Sequence, residues 1–237
     1  MLKIGEKKMD RYSEIKDKNK REIVLLKGFP CVWGKCSFCD YILDNDKDEE
    51  SMNKLNFEVL EKVTGKYRVL EVINSGSCFE LPKKTLEKIK EIIIEKNIEK
   101  LFLESHWCYK SKLDEMRSFF NIPIIFKIGV ETFDYNFRND FLNKNAKFKS
   151  IEELKSYFDS PCIMVGIKGQ TKEMIDKDME IVLNNFEHAT INVFVNNTSN
   201  IKRDEELVSW FKEKYKFLDE NKKIEVLYNN TDFGVGN

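Results

Sequence analysis

Residues 28–41 read GFPCVWGKCSFCDY and place three cysteines, Cys31, Cys36 and Cys39, within nine positions. The loop follows directly on a β-like apolar run at residues 23–27, which predicts a buried strand. Three thiolates at these short spacings can hold three irons of a 4Fe–4S cluster and leave the fourth iron open. An iron without a protein ligand is a place where a small molecule can bind and receive an electron. The loop therefore predicts a redox-active metal site at the end of a core strand.

Composition and charge limit the classes of function. The chain has 237 residues, and its 40 Lys and Arg against 41 Asp and Glu give a net charge of −1. This balance provides no global basic field for long nucleic acid, so we expect no stable nucleic-acid complex. No apolar run reaches membrane-spanning length and the start lacks a secretory core, so we expect a cytoplasmic protein without a membrane partner. Six cysteines, three of them clustered, favour metal ligation over disulfides.

Strand-like and helix-like segments alternate beyond the cysteine loop. Short apolar runs predict strands at 22–27, 69–74, 98–103, 122–129, 162–167 and 190–195, with a seventh at 224–228. Amphipathic spacing predicts helices at 55–63, 83–96, 113–120, 151–158, 171–186 and 204–218. Such alternation implies right-handed crossovers between parallel strands. We therefore predict an α/β fold, a partial parallel (β/α)6 barrel in a single domain, with a doubly wound sheet as the alternative.

The first twenty residues differ from the rest of the chain because they are highly charged. They predict a polar lead-in at 1–20, with a short helix around 10–16. Residues 21–237 are then the barrel domain, ending in a short strand and a tail. No Pro/Gly/Ser-rich linker or charge block divides this part further.

Polar residues collect just after the predicted strands. These segments are NSGSC at 74–78, ESHWC at 104–108, GVET at 129–132, GIKGQT at 166–171, NNT at 196–198 and NNTDFG at 229–234. In barrels and open α/β sheets, functional groups gather where strands end and helices begin. Their shared position predicts one site at one end of the barrel.

The cysteine loop and these strand ends together resemble the radical S-adenosylmethionine superfamily, over most of the chain from Arg21 onward. The usual spacing there is CX3CX2C, whereas this loop has CX4CX2C, a variant with an extra residue in the first gap. The resemblance implies a 4Fe–4S cluster on Cys31, Cys36 and Cys39, with S-adenosylmethionine on the open iron. It also implies an electron from an external donor such as flavodoxin or ferredoxin. Reductive cleavage would then yield a 5′-deoxyadenosyl radical that abstracts a hydrogen atom from the substrate.

The same resemblance assigns cofactor-binding positions. Phe38 matches an aromatic position near the adenine, and Tyr41 falls where the backbone meets the adenine. Ser75, Gly76 and Ser77 correspond to a Gly-Gly-Glu-like segment that meets the methionyl amino group. This segment has no acidic residue, so carbonyls and hydroxyls are expected to accept those hydrogen bonds.

Three further strand-end residues complete the expected cofactor site. Glu104 and Glu131 match polar positions that contact the methionyl part or the ribose. Gly166 resembles the glycine that lets the chain approach the adenine. No catalytic residue is assigned.

Two short strings narrow the resemblance within the superfamily. VINSGSCF at 72–79 and LFLESH at 101–106 are similar to strings of radical enzymes in tRNA-modification chemistry, including archaeosine-synthase partners. A short single-domain member of that group resembles the queuosine lyases, which split queuosine 5′-phosphate and release queuine. The lack of a second cysteine-rich module favours such a small nucleoside-type substrate. A modification enzyme that acts on a larger RNA with a partner subunit is the alternative.

Candidate substrate-binding residues follow from the chemistry of a phosphorylated, guanine-like nucleotide. A phosphate suits a helix N-terminus, and a guanine-like edge needs both acceptors and donors. The candidates are Lys168, Thr198 and Lys202 for the phosphate, Asn196, Asn197 and Asp232 for the base, and His106 for the pocket wall.

Two other interpretations of the cysteine loop stay open. A structural zinc site would take His106 as its fourth ligand, although zinc sites usually pair two short motifs. A cluster used only for electron transfer would take Cys78 as its fourth ligand. Either would make the chain a binding protein without catalysis. Cys108 lies just past a strand end, and Cys162 is predicted in the core at the opposite end of the barrel.

Overall fold

A computed structural model describes residues 10–229 as one curled, eight-stranded sheet with helices packed against it. The strands pair in chain order, the first pair antiparallel and all the others parallel. The strands are β1 (Tyr12–Ile15), β2 (Arg21–Leu26), β3 (Val69–Asn74), β4 (Lys100–Glu104), β5 (Ile124–Glu131), β6 (Ser160–Val165), β7 (Ala189–Val193) and β8 (Ile224–Leu227).

Six α-helices in residues 10–229 connect the parallel strands. They are α1 (Glu49–Leu60), α2 (Lys83–Glu95), α3 (Leu113–Phe120), α4 (Ile151–Lys155), α5 (Lys172–Asn185) and α6 (Glu205–Lys214). Six strand–helix units therefore precede β8, which confirms the predicted partial parallel (β/α)6 barrel. Among the described helices, none combines the length and apolar character needed to span a bilayer.

Side chains alternate between the two faces of each strand, as expected for a pleated sheet. On β4, Leu101 and Leu103 are fully buried in the layer shared with the helices. Glu104 instead lines a cavity on the concave face. The register places Glu104 beside Lys127 of β5, so these two polar side chains are neighbours inside the barrel.

Residues 12–15 of the N-terminal lead-in form a strand, so the short helix predicted around 10–16 is wrong. Tyr12–Ile15 pairs antiparallel with β2, and the Tyr12 hydroxyl donates to Glu22 at 2.8 Å. Without β1, β2 would be a bare sheet edge with unpaired backbone groups. Pairing with that edge outweighs local propensity, which is a weak determinant in such short segments. The division at residue 20 stays a prediction.

Buried ion pairs join the two ends of the parallel sheet. β2 and β8 are not neighbours in the strand order, yet Arg21 of β2 donates to both Glu225 oxygens at 2.7 and 2.8 Å. Arg21 also donates to Glu71 at 2.5 Å, and the Lys127 ammonium donates to the same carboxylate at 2.6 Å. Burial alone would raise the pKa of Glu71, but Arg21 and Lys127 lower it to about 2. This floor network of Arg21, Glu71, Lys127 and Glu225 bridges the open seam of the barrel.

Candidate active site

The cysteine loop lies at the carboxyl ends of the strands. Cys31, Cys36 and Cys39 line one cavity of about 100 Å³, with Gly76 and His106 among the other lining residues. The segments that follow β2, β3 and β4 therefore meet on this side of the barrel, in line with the strand-end pattern.

Hydrogen bonds from distant segments hold the cysteine loop in shape. The Trp33 indole donates to the Asn143 carbonyl at 2.7 Å, and the Ser37 amide donates to the Leu142 carbonyl at 2.9 Å. Gly34 has a φ of 56°, in the left-handed region that glycine adopts without strain. The spacing of the cysteines is thus fixed by the surrounding protein.

The chemistry of these thiols suits a cluster. Burial raises the pKa of Cys36 to about 12 and also raises that of Cys39, while the nearby Lys144 ammonium opposes both shifts. Thiolates here need a compensating positive charge, which iron supplies. Within residues 10–229, no three His, Cys, Asp or Glu side chains form a group able to hold a single metal ion. In a 4Fe–4S cube each sulfur binds a different iron, so three thiols around one cavity fit this group.

His106 does not offer a free ligand atom for zinc. Its Nδ1 accepts a hydrogen bond from the Cys108 amide at 3.2 Å, and its Nε2 lies 2.8 Å from the Lys144 carbonyl, to which it donates. Burial, with Lys144 as a second cause, lowers the pKa of the ring to about 4. The neutral ring therefore uses both nitrogens within the protein, and the zinc interpretation loses its fourth ligand.

Cys78 is likewise unsuited as a fourth cluster ligand. Its side chain is fully buried in the main hydrophobic core, and its pKa is raised chiefly by burial. Cys108 is exposed beside His106. Cys162 is buried as predicted, but its side chain lines the interior of the barrel.

A buried carboxylate that the sequence analysis missed supports the segment after β3. The Glu80 carboxylate accepts hydrogen bonds from the Ser77 amide at 2.5 Å and from the Val32 amide at 2.7 Å. It thereby ties residues 75–77 to the cysteine loop. A side chain at Gly76 would collide with the same carboxylate, so glycine is required there. The spacing of Ser77 and Glu80 is that of a capping box, a signal available in the sequence.

A second cavity of about 180 Å³ fills the barrel interior. The two cavities share part of their lining, so they adjoin at a junction. The shared residues are Phe38, Tyr41, Asn74, Glu104, Gly129 and Lys144.

Lys144 is the most unexpected residue at this junction. Its ammonium lies 2.7 Å from the Glu131 carboxylate, and both side chains are largely buried. Burial would lower the pKa of Lys144, but Glu131 raises it overall. Glu131 has a φ of 69° and follows a register shift in β5, which turns its carboxylate toward the lysine. A side chain at Gly129 would collide with both groups.

The predicted cofactor-binding residues separate into two groups. Phe38, Tyr41, Ser75, Gly76, Glu104 and Glu131 line one or both cavities. Ser77 instead accepts a hydrogen bond from the His106 amide at 2.9 Å through its hydroxyl. Gly166 has a φ of 84°, and a side chain there would collide with Val208 of α6, which explains the glycine by packing.

The loop after β7 is tied to the cysteine loop by Asp40. The Asn197 side-chain amide donates to the Phe38 carbonyl at 2.7 Å and to Asp40 at 3.2 Å. The Thr198 amide and hydroxyl both donate to Asp40, at 3.1 and 3.2 Å. Asn197 also lines the interior cavity.

Three other predicted substrate residues, Asn196, Lys168 and Lys202, line neither cavity. Asn196 accepts a hydrogen bond from the Arg203 amide at 2.9 Å. Lys168 and Lys202 are exposed and adjacent, since the Lys168 amide donates to the Lys202 carbonyl at 2.8 Å. Asp232 lies outside the described residues.

A solved structure with closely similar sequence and fold decides the family. The chain matches the queuine lyase from Clostridium spiroforme bound to SAM and queuine with 58% identity and a TM-score of 0.94, over 97% of this chain and 100% of that one. This chain belongs to the queuine lyase family. Queuine lyase is a radical S-adenosylmethionine enzyme, which confirms the superfamily indicated by the cysteine loop.

More distant comparisons add little beyond the queuine lyase fold. Streptococcus suis SuiB shares the fold at a TM-score of 0.55 and 12% identity, over 86% of this chain and 48% of that one. An uncharacterized protein of Methanocaldococcus jannaschii is 25% identical over 156 residues, or 56% of this chain. The match spans 42% of that curated relative's length. No protein-family model matches the chain.

Proposed function

We propose that this chain carries one 4Fe–4S cluster, binds S-adenosylmethionine and splits queuosine 5′-phosphate to release queuine. The observation that carries the proposal is the 58% identity, over 97% of the chain, to a queuine lyase bound to SAM and queuine. The cysteine-lined cavity that adjoins an enclosed barrel interior supports it.

Cys31, Cys36 and Cys39 are the proposed cluster ligands. When bound, the cluster and S-adenosylmethionine supply the electron transfer and the 5′-deoxyadenosyl radical that removes a hydrogen atom from the substrate. The loop contributes fixed thiol positions.

Residues at the junction are proposed to orient the methionyl part of the cofactor. The carbonyls of the cavity-lining residues Ser75 and Gly76 would accept from its ammonium group, with Glu80 holding the segment in place. The Asn74 Oδ1 atom is a further acceptor, buried without a hydrogen-bond partner among residues 10–229. Lys144 is paired with Glu131, and a further N–H of its ammonium would donate a hydrogen bond to the methionyl carboxylate.

The substrate is proposed to enter the barrel interior. Phe194 and Met164 supply apolar wall there, and Asn192 and Thr190 supply polar groups. Such a mixture of apolar surface and a few polar groups is typical of pockets for small organic ligands. Lys168 and Lys202 are the proposed phosphate contacts at the outer surface.

We propose that the electron comes from an external flavodoxin or ferredoxin and that the enzyme forms no stable nucleic-acid complex. The outer side of the cysteine loop is accessible, where Cys31, Trp33, Lys35 and Lys47 border an open concave surface. A donor protein docked there would lie close to the cluster.

Anaerobic reconstitution tests the function directly. We expect about four irons per chain, 5′-deoxyadenosine after dithionite reduction, and free queuine from queuosine 5′-phosphate by mass spectrometry. Dephosphorylated queuosine should react with a higher KM. Formation of 5′-deoxyadenosine without queuine, together with activity on intact tRNA, would favour the modification-enzyme alternative.

A further inference from the structure

Among the described residues, one carboxylate that lines the barrel interior has no hydrogen-bond partner. Seven charged side chains of residues 10–229 line this cavity, and the floor network accounts for four of them. Lys144 and Glu131 pair with each other at 2.7 Å. Glu104 remains, and within residues 10–229 no side chain or backbone group donates a hydrogen bond to its carboxylate.

The surroundings of Glu104 make this isolation costly. Burial raises the pKa of Glu104, and Lys127 and Lys144 oppose that shift from nearby. Each of these lysines is already bonded to a different carboxylate, Glu71 for Lys127 and Glu131 for Lys144. The Glu104 carboxylate is half-buried and faces the cavity, so its oxygens are open to donors from a bound molecule. A ligand that presents N–H groups would satisfy Glu104.

The position of Lys127 defines that ligand further. Glu104 and Lys127 are register partners on adjacent parallel strands, which lie about 4.8 Å apart. A lysine ammonium has three N–H groups, and the hydrogen bond described for Lys127 goes to Glu71. The pair therefore presents an acceptor and a donor side by side, on one face of the cavity.

A guanine-type base carries the complementary pattern on one edge. Its ring N–H and 2-amino group are donors, and the adjacent carbonyl is an acceptor. Of the three residues expected from the sequence to read this edge, Asn196 and Asn197 hydrogen-bond to neighbouring loops, and Asp232 lies outside the described residues.

We propose that Glu104 and Lys127 read the guanine-type edge of the substrate's 7-deazaguanine base. Glu104 accepts from the ring N–H and the 2-amino group, and Lys127 donates to the carbonyl oxygen. This assignment rests on the proposed function, and it moves Glu104 from the cofactor to the substrate. It makes the pair a specificity determinant against 7-deazaadenine-type bases, which lack these groups.

Calorimetry on the reconstituted, SAM-loaded holoenzyme under anoxia tests this assignment. The ligands are queuine and an analogue with a 7-deazaadenine-type ring and the same side chain. We expect the wild-type chain to prefer queuine, and Glu104→Gln to weaken queuine binding about 10- to 100-fold, as for loss of a charge-assisted hydrogen bond. Glu104→Gln should bind the analogue as the wild type does and keep its affinity for SAM. The exposed Glu58→Gln on α1 is the matched control and should bind all three ligands normally.

Failure of the Glu104 assignment and failure of the proposed function would give different results. Loss of SAM affinity with unchanged queuine affinity would return Glu104 to the cofactor site and overturn the assignment. Equal weakening of both bases would also overturn it, because edge reading predicts a difference. A wild-type enzyme that cleaves SAM but does not bind queuine would refute the proposed function itself. Glu104→Asp keeps the charge, so it should retain the preference for queuine and serves if the glutamine variant does not fold.

Discussion

Asp178 of α5 should make the stability of this enzyme fall as the pH rises from 5 to 8. Its side chain is 1% exposed and accepts a hydrogen bond from the Phe133 amide at 2.6 Å. Burial raises the pKa of Asp178 from 3.8 to about 7, although that hydrogen bond opposes the shift. The contact fixes the turn after Glu131, so it supports one wall of the active site.

Proton linkage gives the direction and the magnitude of this change in unfolding free energy. Because the folded-state pKa lies above the unfolded-state value, protonation of Asp178 favours folding. Its contribution is complete below pH 3.8 and is lost as the pH rises through about 7. Integration between pH 5 and pH 8 gives a loss of about 2.5 kcal/mol. Asp178→Asn cannot ionise, so the variant's unfolding free energy relative to wild type should rise by about 2.5 kcal/mol over this range.

Urea unfolding of the reconstituted chain at pH 5 and pH 8, followed by circular dichroism, measures this difference. Any cost of the amide is the same at both pH values and cancels. Asp176→Asn on the same helix is the control, because Lys214 and Tyr215 outweigh burial and lower the pKa of Asp176. That carboxylate is ionised in both states throughout the range. A stability difference for Asp178→Asn that does not change with pH would refute the reasoning.

Three further substitutions probe separate parts of the structure. Cys36→Ala should remove bound iron, the visible absorbance and queuine release together. The control Cys78→Ala, in the core, should retain all three. Full activity of a colourless Cys36→Ala variant would exclude the cluster role of Cys36. Gly76→Ala should weaken SAM binding at least about tenfold, because the added methyl group would displace the Glu80 carboxylate. Calorimetry that finds wild-type affinity would contradict this. Arg21→Met should lower the unfolding free energy by about 3 kcal/mol, since it leaves Glu225 without its cation and Glu71 with Lys127 alone. Wild-type stability in urea would show that the seam does not depend on this residue.

The fold was predictable because its signals are local. Strands buried on both faces of a parallel sheet are continuous apolar runs, and the prediction of 69–74 coincides with β3 (Val69–Asn74). The amphipathic prediction of 83–96 likewise matches α2 (Lys83–Glu95). The placement of the cysteine loop beside the other strand ends then follows from connectivity, because parallel strands have their carboxyl ends on the same side of the sheet.

The residues that were missed owe their positions to distant contacts. Lys144 lies in the polar string NKNAKFK at 143–149, which resembles an exposed loop. It is buried because the preceding π-helical turn, Phe137–Phe141, and the guanidinium of Arg138 fold this loop inward; Arg138 donates to the Ala146 carbonyl at 2.9 Å. β1 depends in the same way on a partner strand. No local pattern encodes such contacts.

The charge distribution inside the barrel favours one orientation of the bound substrate. The floor network contains two cations and two carboxylates, so it has no net charge to attract a phosphate. The adjoining junction adds Lys144, which Glu131 neutralises. A nucleotide phosphate would therefore gain little inside and would lose its hydration, whereas the base can satisfy Glu104 and Lys127. It follows from the proposed contacts that the base enters first and the phosphate stays at the outer surface, where Lys168 and Lys202 are exposed.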